Sequence, residues 1–340
     1  MKVEVAVVVP NYSSKKSREF SIVPQYSQSY PFIQGLEERG IRVSTLDGGE
    51  VKLDGREISD WWRGYLSVPK LIRIINKHRI VFIWSTLGVM LSALSELPFL
   101  NFLKDKIILV LFYNHNPNHN LLKKILLDKL MYFGLKNCKA ALYMLEKHIK
   151  EAKSIYALDD KKIVYCPAGV DVVFFKPKSE ILDKEKEYGV SEQILEFVKK
   201  PYIVVSGDQL RSESDIIEVL DGLNFSLVRL TQNTHIEYFW KNKKPSFPVF
   251  CVSHLNPFEV RYLYQNAFCC LNLVDNSWQP AGWTAITEAM ACGLPVIMNS
   301  GLVTEEINRL SFTKKPFIEV NGFSSANIKE KIYTLVKDAE

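Results

Sequence analysis

At 340 residues the chain is long for one domain and suits two of about 150 to 170 residues each. Its 47% hydrophobic and 24% charged content is that of a globular protein, which excludes collagenous and disordered classes. The net charge of +5 is unevenly spread: residues 1–170 hold 25 Lys and Arg against 16 Asp and Glu, and residues 171–340 hold 18 against 22.

A basic N-terminal half predicts either a solvated basic face or an anionic partner, such as a phospholipid surface or a lipid-linked phosphate acceptor. No nucleic-acid recognition motif accompanies the charge, so no nucleic-acid partner is expected. The six cysteines form no C-x-x-C pair and lie mostly in apolar surroundings, which fits buried free thiols in a reduced cytoplasmic compartment. No secretory signal is evident, and the uncharged run Ile80–Ser95 is too short to span a bilayer.

In chain order, 3–9 reads as a buried parallel strand ending at Pro10-Asn11, followed by a long polar loop over 11–30 without a G-x-G-x-x-G signature. A helix over 31–39 closes at Gly40, and 41–46 is the next strand. After a polar excursion at 47–62 come a basic helix at 66–78, a strand at 80–84, a loop at Thr86-Leu87-Gly88 and a helix at 90–103 broken by Pro98. The strand 107–113 runs into YNHNPNHN. His115 and His119 are four apart, but Pro117 between them predicts a loop and removes the same-face argument for a metal pair. A helix over 121–136 mixes lysines with ten apolar residues around most of its circumference. It predicts burial on two sides, with lysines that reach toward anionic headgroups as the alternative. Strand and helix alternate again at 140–144, 146–156 and 163–166. The second half continues with strands at 202–206, 225–230 and 249–252, helices at 214–220 and 258–265, and an irregular stretch at 231–248. This alternation predicts two doubly wound parallel sheets.

The most informative stretch is 271–298, LNLVDNSWQPAGWTAITEAMACGLPVIM. It reads as strand, Gly loop, short helix from Thr284, Gly stop and strand. A glycine just before a helix lets backbone approach a ligand, and the helix N-terminus favours phosphate. Glu288 lies one turn beyond Thr284 on the same face. It is either a ribose-binding carboxylate or a solvated helix residue.

The run AGWTAITEAMACGLPVI resembles the donor-site motif of the family 4 glycosyltransferases of the GT-B fold. The segment PAGVDVVFFKP, with Gly169, Asp171, Phe175 and Pro177, resembles the family's G-V-D-x3-F-x-P link between domains. The likeness covers roughly 110–340 well and the earlier residues only in organisation. Many members carry a Glu eight residues before the motif Glu; here that position is Pro280.

The resemblance implies two Rossmann-like domains facing a cleft. They are an acceptor-side domain over 1–170, a nucleotide-sugar domain over 171–323, and a final helix over 324–340 packed back on the first domain. It implies a retaining, metal-independent transfer from a UDP- or GDP-sugar to a glycan or lipid-linked acceptor, with no cofactor beyond that co-substrate. Arg211 matches the family's basic residue that neutralises the pyrophosphate, Glu288 its ribose ligand, and His115 its first-domain active-site histidine. Gly207, Ser253, His254, Asp275, Gln279, Gly282, Trp283 and Thr284 take donor-binding places, with Ser253 and His254 beside the nucleobase, and Gln279 or Asp275 standing in for the absent Glu. A nucleotide-sugar epimerase of the same fold and a catalytically silent sugar-nucleotide binder are the alternatives. The expected setting is the cytoplasm, with peripheral contact at the inner face of the membrane.

Overall fold

Short apolar strands separated by helices leave the chain one economical arrangement: parallel strands joined by right-handed crossovers. The computed structural model describes residues 4–9, 36, 38–47, 68–84, 86–111, 120–167, 169–180, 189–208, 211–253, 255–274, 278–310 and 316–339. It divides into two units, Met1–Ala168 and Gly169–Glu340.

In the first unit the elements are β1 (Glu4–Val9), β2 (Arg42–Asp47), α1 (Val68–Lys77), β3 (Ile80–Trp84), α2 (Thr86–Leu94), β4 (Ile107–Leu111), α3 (Leu121–Asn137), β5 (Ala140–Tyr143), α4 (Glu146–Tyr156) and β6 (Ile163–Tyr165). The six strands pair in parallel in the order β2-β1-β3-β4-β5-β6. Its core is aliphatic: Ile83, Val89, Leu91, Leu103, Ile107, Leu109 and Leu135 are buried together. The sequence places a loop at Thr86-Leu87-Gly88, whereas α2 begins at Thr86. A helical Gly costs about 1 kcal/mol, and sealing Val89 and Leu91 into the core outweighs it. Beyond α2 the chain resumes as a 3-10 helix, Pro98–Leu103, which Pro98 begins after the expected break.

The second unit opens on the link segment. Asp171 accepts hydrogen bonds from the amides of Val173 and Phe174, both at 3.0 Å, and this turn drives Phe175 into the interior. There follow α5 (Glu192–Phe197), β7 (Tyr202–Ser206), α6 (Glu213–Leu220), β8 (Ser226–Leu230), α7 (Thr234–Asn242), β9 (Val249–Val252), α8 (Pro257–Asn266), β10 (Cys269–Asn272), α9 (Trp283–Ala291), β11 (Val296–Asn299), α10 (Leu302–Arg309), β12 (Ile318–Val320) and α11 (Ser325–Ala339). The parallel order is β12-β11-β10-β7-β8-β9. From β7 the chain winds outward through β8 and β9, then returns to the other side of β7 with β10. The carboxyl edge between β7 and β10 is therefore a topological switch point, where open α/β sheets hold ligands.

Two elements differ from expectation. The stretch 231–248, read as irregular, contains α7: Asn233 caps it by accepting from the amide of His235 at 2.9 Å, and Trp240 is buried. The last helix, expected on the first unit, buries Ile328 and Ile332 in the core of the second, and Lys329 Nζ donates to Asp221 O at 2.7 Å. Its apolar face is matched by α6, so it completes this layer.

Candidate active site

Among the described residues the switch point brings together Gly207, Arg211, Asn272 and Gly282. Gly207 ends β7 at φ +97°, and Arg211 follows just before the cap of α6. Its guanidinium folds back over Gly207: a Cβ on that glycine would stand 2.8 Å from Arg211 Nη1. Arg211 Nη2 donates to Asn272 Oδ1 at 2.6 Å. Asn272, the buried last residue of β10, lies against Gly282, where a Cβ would be 2.8 Å from Asn272 Cγ. Gly282, at φ +83°, caps α9. Both glycines therefore answer to one requirement, room for a guanidinium and an amide stacked across neighbouring strands.

A second cation lies close by. Arg229 in β8 is fully buried, and Glu213 meets it with two carboxylate oxygens at 2.7 to 3.2 Å. Trp240 Nε1 donates to the same carboxylate at 2.6 Å. Burial first, and then the charge of Arg229, pull the Arg211 pKa down to about 10, so Arg211 stays protonated at neutral pH. An anion arriving at this edge meets Arg211 and the start of α9 together.

Glu288 sits one turn into α9 and is buried. Among the described residues no side chain donates a hydrogen bond to its carboxylate or pairs with it. Desolvation raises its pKa to about 8, so most of it is protonated at neutral pH. Hydroxyl groups of a ligand would supply the donors that this carboxylate lacks.

Of the remaining expected residues, Gln279, Trp283 and Thr284 adjoin this group. Trp283 is buried, and its amide donates to Pro280 O at 3.3 Å in the turn before the helix. Thr284 is half-buried in the first turn of α9. Gln279 lines a cavity of about 20 Å³ with Asn272, Ala281 and the start of α10, the size of one water. Ser253 follows β9, two strands from β7 and so about 10 Å along the same edge. His115, His254 and Asp275 lie outside the described residues. Among the described residues no three His, Cys, Asp or Glu gather as a metal site.

Two contributors are absent from the sequence expectations. Asn272 orients Arg211, and a polar residue closing the apolar strand CCLN at its carboxyl end is the sequence signal for it. Asp208 accepts from Thr231 Oγ1 at 2.5 Å and from the Gln232 amide at 3.1 Å, which ties the loop after β7 to the loop after β8.

Neither a protein-family model nor a curated protein sequence matches this chain. Solved structures do. Anabaena HepE in complex with UDP-glucose superposes with a TM-score of 0.65 at 12% identity, covering 99% of this chain and 90% of that one. WaaG, a glycosyltransferase involved in lipopolysaccharide biosynthesis, gives 0.64 at 14% identity over 98% and 90%. A UDP-N-acetylglucosamine 2-epimerase gives 0.52 at 10% identity over 100% and 88%. Two parallel Rossmann-like units with this topology and these likenesses are the GT-B fold.

Proposed function

We propose that the chain is a retaining, metal-independent glycosyltransferase of the family 4 kind, a hexosyltransferase using a UDP- or GDP-sugar. The observation that carries the reading is Arg211, held over Gly207 and on Asn272 at the switch point, beside a helix start that leads to buried Glu288. As the sugar C1–O bond to the diphosphate breaks, negative charge grows on the departing phosphate oxygen. Arg211 and the α9 N-terminus oppose that charge. The acceptor oxygen bonds to C1, and its proton passes to the departing phosphate. Glu288 accepts from the ribose hydroxyls. The acceptor is a glycan or lipid-linked saccharide met by the basic first unit, in polysaccharide or glycolipid synthesis at the cytoplasmic face of an anionic membrane.

The test is transfer, followed by release of UDP or GDP, with Arg211→Ala and Glu288→Ala beside the unaltered chain. Each substitution is expected to lower turnover by at least about tenfold, and Arg211→Ala by about a hundredfold. Unchanged turnover in both sinks the site assignment. The likeness to an epimerase supports a second reading, in which the sugar is inverted without acceptor. Product analysis separates them, since an epimerase returns a nucleotide-linked sugar.

A further inference from the structure

Helix α3 carries apolar residues on two opposite faces; one packs in the core, and the side chains of the other are exposed. Met131, Gly134 and Leu135 are buried, and a Cβ on Gly134 would press on Val89 of α2. Successive residues turn about 100° around a helix. Leu121, Tyr132, Ile125, Lys136, Lys129, Leu122, Phe133 and Leu126 therefore fall, in that angular order, on one arc of about 140° facing away from the core. Six large apolar side chains lie exposed there, with Leu121 at 74%, Leu122 at 81% and Leu126 at 68%.

Within the arc the charged side chains are Lys129 and Lys136, with no acid between them, and Lys123 and Lys124 lie outside it toward the start of the helix. Lys123, Lys124, Lys129 and Lys136 are exposed on α3. Its one acidic residue, Asp128, accepts from Tyr156 OH at 3.2 Å on the flank. Lys136 Nζ approaches Glu96 at 3.9 Å, both side chains being well exposed. The whole first unit carries 25 basic against 16 acidic residues. A two-fold pair of chains joined on this arc would bring Lys129 near Lys129 of the second copy, which like charge disfavours. An anionic lipid surface suits both features: leucines enter the acyl boundary while lysine stems lie along it and their ammonium groups meet phosphates.

We infer that the exposed arc of α3, led by Leu121, Leu122, Ile125 and Leu126, docks on an anionic phospholipid bilayer. The start of α3 follows β4 and so lies at the carboxyl edge of the first sheet, the edge where such sheets receive ligands. Docking there presents that edge to an acceptor held in the membrane. This deepens the reading that the basic unit meets an anionic membrane, and it does not depend on the reaction.

Flotation of the full chain with vesicles tests it, using equal parts phosphatidylglycerol and phosphatidylcholine against phosphatidylcholine alone. Leu122→Ser/Leu126→Ser changes the arc, and Lys147→Glu/Lys150→Glu changes exposed lysines on α4. Thermal melts confirm that both variants fold, since all four side chains are exposed. The expected result is binding to the anionic vesicles alone, lowered at least tenfold by the leucine pair and less than threefold by the lysine pair. Loss with the α4 pair and retention with the α3 pair overturns this surface while leaving the membrane reading intact. Absence of any vesicle binding overturns both. A concentration-dependent dimer abolished by the leucine pair assigns the arc to a second copy and overturns the docking. Loss of sugar transfer leaves all these readouts unchanged.

Discussion

The two units share a topology of parallel strands and crossover helices but differ in where they bury charge. Among the described residues the buried carboxyl and guanidinium side chains, Arg229, Glu259, Arg261, Glu288 and Glu306, all belong to the second unit. The ion pairs found in the first unit, such as Lys153 with Asp160, are exposed. Burying charge carries a desolvation cost that a plain core avoids. The first unit shows what such a fold needs for stability alone, an aliphatic core. In the second, Arg229, Glu213 and Arg211 cluster at one sheet edge, so part of the extra cost falls at the switch point.

The largest expected effect comes from splitting the buried pair. Arg229→Met leaves Glu213 only 12% exposed, with Trp240 Nε1 as its remaining donor. Loss of about 3–5 kcal/mol in urea denaturation is expected. A cost no greater than that of an exposed pair would remove the contrast between the units.

Next in size is the pH response of Glu288. Its folded pKa, about 8, lies above the ordinary 4.5. The folded chain thus holds a proton that the unfolded chain has released, and stability falls as pH rises from about 4.5 to about 8. The decline is on the order of a few kcal/mol, and Glu288→Gln flattens it. A nucleotide whose ribose donates to the carboxylate favours its charged form. Binding at neutral pH then releases a proton, and affinity rises toward pH 8. Calorimetry in buffers of different ionisation enthalpy measures that proton, which the Gln variant no longer releases.

These groups were unevenly legible in the sequence. The glycine before a helix left a local mark in backbone chemistry, whereas Arg211 and the role of Glu288 came from the resemblance of their segments to the family's motifs. Asn272 did not stand out, because its role depends on β10 returning beside β7, a pairing between residues far apart in the chain. Helix α7 was missed for a related reason. Its cap at Asn233 and the spacing of Ile236, Phe239 and Trp240 were present, but lysines and polar residues diluted the period. The turn that pairs the Trp283 amide with Pro280 O was not legible either, because helix position alone does not reveal it. Helix α3 was legible as apolar on two sides, whereas the exposure of the second side required the fold.

A smaller change tests the packing beneath Arg211. Gly282→Ala places a Cβ in left-handed backbone, at about 1–2 kcal/mol, and against the Asn272 amide. Asn272 must shift, and Arg211 loses the acceptor that aims it. Affinity for UDP or GDP is expected to fall at least about tenfold with this modest loss of stability. Equal affinity would show that the Arg211–Asn272 bond does not orient the cation.

The smallest effect is the control on the first unit. Lys153 Nζ stands 2.7 Å from Asp160 Oδ1, a distance as short as that between Arg229 and Glu213. Its side chains are 42% and 81% exposed, so water and salt screen the pair, and ordering a lysine offsets much of the attraction. Lys153→Ala should cost at most about 0.5 kcal/mol, and less at high salt. Equal distances with about tenfold different costs would locate the contrast in burial and not in contact geometry. A Lys153→Ala cost near that of Arg229→Met would mean that the first unit also rests on its charges, and the comparison would then have to be drawn from the two sheet edges alone.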